Sequence, residues 1–361
     1  MRLAGIDILR GIAVSTVVLY HFYVLLDYSS TASFKYIHLL GQLGVSLFFV
    51  ISGYLIYRSI EHNITQKDIH HGIKSYTIHR LFRILPAYYF NLVIVILLAY
   101  FIFHTMDDWS FNFIIRQILT HLTFTSFYLY QTSGFEINGA YWTLSIEMLW
   151  YIMAPFFFLY IKTNKTLILL AILSLVYLAS IDLGLMDWLF HLDRNASNYL
   201  NKLYFFSFQL PGQLIYFVSG ILIYKMSKPS IHISNNKRYI IGSITTIIFI
   251  YLSIQPFFHT SFLIRNFFIL CTVTIIFVLF YQYHTKKLAL LSWIGKISYS
   301  LYLWHMPLLF IIKKYVIPLE LPLPIVIIIF LLSLFSISSF SYYFIEESGF
   351  SLRKKFEKGL I

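Results

Sequence analysis

Arg10 and His21 lie eleven residues apart in the first apolar stretch of a 361-residue chain. On a helix, at about 100° per residue, that spacing is roughly 20° past three full turns, so both side chains face the same way about 16 Å apart. One helix face then offers a cation near one end and a titratable base deeper in, a reach comparable with that of an extended phosphopantetheine arm from its phosphates to its thioester. An ionisable side chain at membrane depth is expensive, so each one demands a partner or a function. The structural alternative is that Arg10 snorkels to the interface while His21 bonds a neighbouring helix. Glu147, in Tyr141-Trp142-Thr143-Leu144-Ser145-Ile146-Glu147, stands about six residues, or roughly 9 Å, into an apolar segment that enters from the opposite side. His305 stands in a third such segment, and counting helical rise from the assumed membrane boundaries brings His21, Glu147 and His305 to one level. A carboxylate with two imidazoles at one depth suits proton handling, with His21 as base and Glu147 orienting or charge-stabilising it. Trp142, Ser145 and Tyr299 are the polar neighbours expected to support that layer, together with His305.

A second group is cationic. Arg80 and Arg83 stand three residues apart just before Pro86, the residue expected to open the third span. Helical neighbours at that spacing can turn both guanidinium groups toward one anion, a diphosphate being the natural fit; the plainer reading is a pair of interface anchors. Ser52-Gly53, at the end of the second span, permits close approach of a neighbouring helix or of a ligand. No Cys/His spacing suggests a metal, and the single cysteine, Cys271, reads as a small apolar residue at a packed position. His70-His71 reads as a solvated pair on a loop.

The elements that must hold these groups are transmembrane helices. Hydrophobic residues make up 59% of the chain and charged residues 12%, too few to cover a soluble domain, which carries roughly 25%. Apolar runs of spanning length fall near 6–26, 39–58, 84–104, 141–161, 166–183, 208–225, 238–255, 262–281, 291–312 and 324–345. The expected fold is an all-α integral membrane bundle of about ten helices, a single transmembrane domain over residues 1–361 without an appended soluble domain. A net charge of +12 raises nucleic-acid binding, but the placement of the charge argues against it. Eighteen of the 27 Lys and Arg residues fall at the termini and in alternate connections, while the opposite connections hold Lys35, Arg116, Arg194, Lys202, Lys313 and Lys314. By the positive-inside rule both termini are cytoplasmic. The run Ser29-Ser30-Thr31-Ala32-Ser33 resembles a signal cleavage region, yet the preceding stretch is too long and carries Arg10 and His21, so it reads as a retained helix. The outer segments 105–140 and 184–207 are rich in aromatic and polar residues, suited to an interface belt or to a sugar-binding mouth.

The residues also match a family. Ile6-Asp7-Ile8-Leu9-Arg10-Gly11 through His21-Phe22 resembles the first-helix Arg-x10-His signature of the acyltransferase-3 family of multispanning membrane O-acyltransferases. Leu47 through Tyr54, Arg80-Leu81-Phe82-Arg83, Trp142 through Glu147 and Ile297 through His305 resemble its further motifs in the same order. The last-span motif keeps Glu346 but has Ser348 where relatives often carry a proline. The resemblance implies transfer of an acyl group, acetyl being the expected one, from cytoplasmic acyl-CoA to a hydroxyl of an envelope saccharide or lipid-linked glycan at the outer face of a bacterial cytoplasmic membrane. It implies His21 and Glu147 as catalytic, Arg10, Arg80, Arg83 and Ser52 as acyl-CoA-binding, acyl-CoA as co-substrate, and no cofactor. Two rival classes are a glycan exporter or flippase with a His/Glu proton relay, against which the lack of internal repeats counts, and a scaffold of an envelope-synthesis complex, which would tolerate loss of His21.

Overall fold

The computed structural model describes residues 4–26, 37–66, 68–133, 137–226, 234–255, 261–283 and 286–358. The small-residue run 29–33 and Lys35 lie outside them. All regular elements among the described residues are helical. In chain order they are α1 (Ala4–Leu25), α2 (Leu40–Gln66), α3 (Ile69–Phe101), α4 (Phe111–Leu122) and α5 (Tyr141–Tyr160). There follow α6 (Asn164–Asp182), α7 (Leu185–Phe190), α8 (Tyr199–Phe208), α9 (Leu210–Met226), α10 (Asn235–Ser253) and α11 (Phe262–Phe280). The last are α12 (Ala289–Lys296), α13 (Ser298–Tyr315), α14 (Leu323–Phe340), a π-helical turn (Ser341–Glu346) and α15 (Glu347–Lys358).

Eight helices among the described residues are long and apolar enough to cross a membrane. They coincide with eight of the ten expected spans. The other two are helical where expected but fall short of that standard. α10 opens on Asn235, Lys237 and Arg238, and the 291–312 stretch breaks at Ile297 into α12 and the polar α13, which carries Ser298, Tyr299, Ser300 and His305. The expected long cytoplasmic connection over 58–83 is a correction: α2 runs on to Gln66 and α3 already begins at Ile69. Asp68 caps α3 by accepting the His71 backbone N–H at 2.9 Å, so His70 and His71 sit on a helical first turn, still exposed. Pro86 therefore does not start a helix but lies inside one. Lacking an N–H, it leaves the carbonyl of Phe82 without its helical donor, and Gly349 of α15 packs onto that carbonyl. Cys271 is also corrected, since it lies on the exposed face of α11 rather than at a packed position.

The chain forms two compact units, with α1, α2 and α5 contributing residues to both. The first comprises residues 1–20, 30–59 and 152–296. Its helices approach to backbone contact at glycines: a Cβ on Gly53 would strike the Phe217 carbonyl oxygen, and one on Gly220 would strike that of Val50. Gly53 thus serves helix packing, with the Phe49 and Phe217 rings in tilted contact alongside at 4.7 Å. The second unit comprises residues 21–29, 60–151 and 297–361. Tyrosine hydroxyls tie it together. Tyr141 donates to Asn91 Oδ1 at 2.6 Å, Tyr88 to the His121 carbonyl at 2.7 Å, and Tyr299 to the Ile84 carbonyl at 3.1 Å. Each satisfies a polar atom that would otherwise be stranded in an apolar interior.

Candidate active site

His21 and His305 meet. His305 Nε2 lies 3.2 Å from His21 Nδ1, with ring centroids 5.0 Å apart, and His305 is wholly buried. The second nitrogen of His305 fixes the proton positions. Its Nδ1 is 2.7 Å from the Tyr302 carbonyl oxygen, which only accepts, so Nδ1 carries the hydrogen and Nε2 is the lone-pair nitrogen. His21 Nδ1–H then donates to His305 Nε2, and the basic lone pair of His21 is on its Nε2.

Glu147 sits in a different layer. Its carboxylate accepts the Tyr151 hydroxyl at 2.7 Å, one helical turn further along α5. Arg80 stacks over the Tyr151 ring at 5.5 Å and over the Tyr76 ring at 5.8 Å, and the Tyr76 hydroxyl donates to the Tyr151 carbonyl at 3.1 Å. Arg83 is within electrostatic range of the Tyr151 hydroxyl, and Glu147 within range of those of Tyr299 and Tyr302. Glu147 and the Arg80/Arg83 pair therefore belong to one charged cluster held by tyrosines.

The register of α5 against α13 explains the separation. The two run in opposite directions: Asn138 Nδ2 donates to the Leu303 carbonyl at 3.2 Å, and Thr143 Oγ1 and Tyr302 Oη are 2.8 Å apart. Glu147 is then about 6 Å along α5 from Thr143, and His305 about 4.5 Å along α13 from Tyr302 in the other direction, so their backbones stand roughly 10 Å apart along the bundle. Counting from an assumed membrane boundary missed this because α5 begins inside the protein. Ile137, Asn138, Ala140 and Tyr141 are all buried. The single layer expected from helical rise is two layers.

The remaining expected residues divide between the two units. Trp142 packs on Phe127 at 5.4 Å, and Ser145 receives the Tyr128 hydroxyl on its carbonyl at 2.7 Å, so both anchor the 126–132 segment to α5. Tyr299, through Ile84, locks α13 to α3 at the level of Arg83. Arg10 and Ser52 lie in the first unit. Arg10 is paired with buried Asp7 at 3.6 Å, one turn earlier on α1. Asp7 and Tyr151 were missed as contributors although both carried a signal, standing three residues before Arg10 and four after Glu147 on shared helix faces. Glu346 is buried, accepts the Ser300 hydroxyl and is within electrostatic range of the Tyr299 hydroxyl. The described residues contain no group of three or more metal-ligating side chains.

The chain matches, over residues 3–343, the family model described as "Acyltransferase domain". It is 26% identical over 329 residues to a Bacillus subtilis protein named "Putative peptidoglycan O-acetyltransferase YrhL", covering 84% of this chain and 48% of that relative. It is 26% identical over 368 residues to "Putative O-acetyltransferase SACOL0978" of Staphylococcus aureus, covering 95% of this chain and 56% of that relative. The chain thus spans about half the length of these curated relatives. "Putative acetyltransferase ORF330" of Acidianus two-tailed virus is 24% identical over 306 residues, with 82% of this chain and 81% of that one covered. No solved structure matches.

Proposed function

Since the chain belongs to the acyltransferase-3 family, we propose that it moves an acyl group, acetyl in the first instance, from cytoplasmic acyl-CoA to a hydroxyl of a cell-envelope saccharide at the outer face of a bacterial cytoplasmic membrane. The observation that carries this reading is the His21–His305 pair. It presents a neutral imidazole whose Nδ1–H is already engaged, so that Nε2 is the atom that accepts a proton. In the simplest route His21 Nε2 takes the acceptor hydroxyl's proton as its oxygen attacks the thioester carbonyl. The departing CoA sulfur then receives that proton. His305 Nε2 accepts from the His21 imidazolium throughout and steadies its charge. In a two-step variant His21 Nε2 itself attacks and carries the acyl group to the acceptor. Arg80 and Arg83 are the phosphate ligands, their orientation supported by Tyr76, Tyr151 and Glu147. Arg10, eleven residues before His21 on α1 and paired with Asp7, is a further acyl-CoA-binding residue in this proposal, as is Ser52. Glu147 becomes a positioning residue for the arginine cluster. The topology proposed with this is about ten spans in one transmembrane domain, both termini cytoplasmic, by the positive-inside rule.

The test compares the O-acyl content of envelope polysaccharide, by NMR or mass spectrometry, with and without the gene, and after complementation by wild type or His21→Ala. Loss of ester on deletion, restored by wild type alone, is expected. Unchanged acylation on deletion, or full complementation by His21→Ala, overturns the reading.

A further inference from the structure

Arg265 lies in the first turn of α11, in the first unit, and is 4% exposed. Its Nη1 donates to the Tyr204 hydroxyl at 3.2 Å, and its guanidinium stacks against the rings of Tyr204 at 5.0 Å and Phe262 at 4.7 Å. Nε and Nη2 are buried and have no hydrogen-bond partner among the described residues. The neighbouring groups are already committed. Asn266 Oδ1 accepts from Gln42 Nε2 at 2.9 Å and from the Tyr216 hydroxyl at 2.8 Å, while its Nδ2 donates to the Phe262 carbonyl at 2.7 Å. Asp182, the acid that closes the same helix end, spends both oxygens on Ser261 Oγ at 2.7 Å and on the backbone N–H groups of Phe262 and Leu263 at 2.8 and 3.0 Å.

A guanidinium this buried does not reach water by snorkelling. An uncompensated buried cation is among the most destabilising groups a protein can hold, and a water molecule would supply a dipole but no charge. The geometry of what is unpaired is informative. Nε–H and the Nη2–H beside it form the parallel two-donor edge of arginine, the edge that matches the two oxygens of a carboxylate or phosphate. The aromatic rings lie against the guanidinium and the Tyr204 hydroxyl takes Nη1, leaving that edge to an oxyanion.

We propose that the Nε/Nη2 edge of Arg265 is an oxyanion subsite, taking a carboxylate or phosphate group of an acidic ligand at the Asp182-capped end of α11. The shared chemistry has two sources, a soluble anion or acidic saccharide and the headgroup of an anionic lipid. This goes beyond the acyl-transfer reading, and its test uses no turnover, so either can fail without the other.

The whole protein is placed in phosphatidylcholine nanodiscs and its thermal midpoint followed against inorganic phosphate, then compared with nanodiscs containing phosphatidylglycerol. The expected result is a saturable rise of about 3–6 °C in the wild type, absent in Arg265→Gln and reduced in Arg265→Lys. A rise with phosphate identifies the soluble source. A rise with phosphatidylglycerol that also abolishes the phosphate response identifies the lipid headgroup. Tyr204→Phe keeps the ring and the two-donor edge, so it should retain the response even if Arg265→Gln fails to fold. A wild type indifferent to both probes, or equal responses in wild type and Arg265→Gln, overturns the proposal.

Discussion

The hydrogen bond from His305 Nδ1 to the Tyr302 carbonyl makes the two imidazoles unequal. In the proposed transfer His21 is the group whose Nε2 changes protonation, while His305 only accepts from His21 Nδ1. His21→Ala should therefore lower turnover of purified enzyme by about 100- to 10,000-fold, the range that general-base catalysis contributes, with the protein still inserted and monodisperse. His305→Gln keeps an acceptor facing His21, so it should retain part of the rate that His305→Ala loses. A pH–rate profile for His305→Gln with the same acidic limb as wild type would show that His305 does not act on His21. For the cations, replacing both Arg80 and Arg83 by alanine should weaken acyl-CoA binding in detergent about tenfold or more. The double lysine variant should fall between, since lysine lacks the two-donor fork. Unchanged CoA affinity in the double alanine protein would leave them as interface anchors. At this scale the sequence was informative about identity and poor about pairing. The eleven-residue spacing of Arg10 and His21 and the three-residue spacing of Arg80 and Arg83 are properties of one helix. That His21 faces His305 rather than Glu147 depends on the register between helices, which no single-helix period contains.

Among the elements, α4 offers a measurable titration outside the candidate spans. His121 is buried, its Nδ1–H donates to the Gln117 carbonyl at 2.7 Å, and burial holds its imidazole below the usual range. The unfolded chain takes up this proton first as pH falls past about 6.5. The contribution is thus full above that value and is lost on acidification toward the lower folded pKa. The thermal midpoint should fall less between pH 7 and pH 5 in His121→Gln than in wild type; parallel curves would remove His121 from the acid sensitivity. The helices themselves were legible because apolar length alone specifies them in a membrane. What was not legible was where they stop. Leu81 through Pro86 resembles a helix start, but the chain had already turned helical at Asp68, because a capping side chain outweighs hydropathy in deciding where a first turn closes.

For the whole molecule, the side of the membrane on which each cluster stands is the testable quantity. With Cys271 replaced, a cysteine at exposed Gln131 should react with an impermeant maleimide in intact spheroplasts. One at exposed Gln66, the last residue of α2, should react only after permeabilisation. The reverse pattern would put Arg80 and Arg83 on the side without acyl-CoA, and transfer across the membrane would have to be abandoned. Composition and charge asymmetry were enough to frame this experiment. The division into two units was not foreseeable from them, since α1, α2 and α5 each contribute residues to both.

The π-helical turn at Ser341–Glu346 has a consequence in lineage. Such a turn is an α-helix that has gained one residue, and it persists when the displaced side chain is useful. Here the displacement sets Glu346 against Ser300, and further on it sets Gly349 on the carbonyl released by Pro86. Deleting one residue from 341–345 would restore regular winding and swing everything beyond it by about 100°. Across descendants of a common ancestor, a one-position gap in this turn should therefore travel with changes at positions 86, 300 and 349, as a single inherited unit.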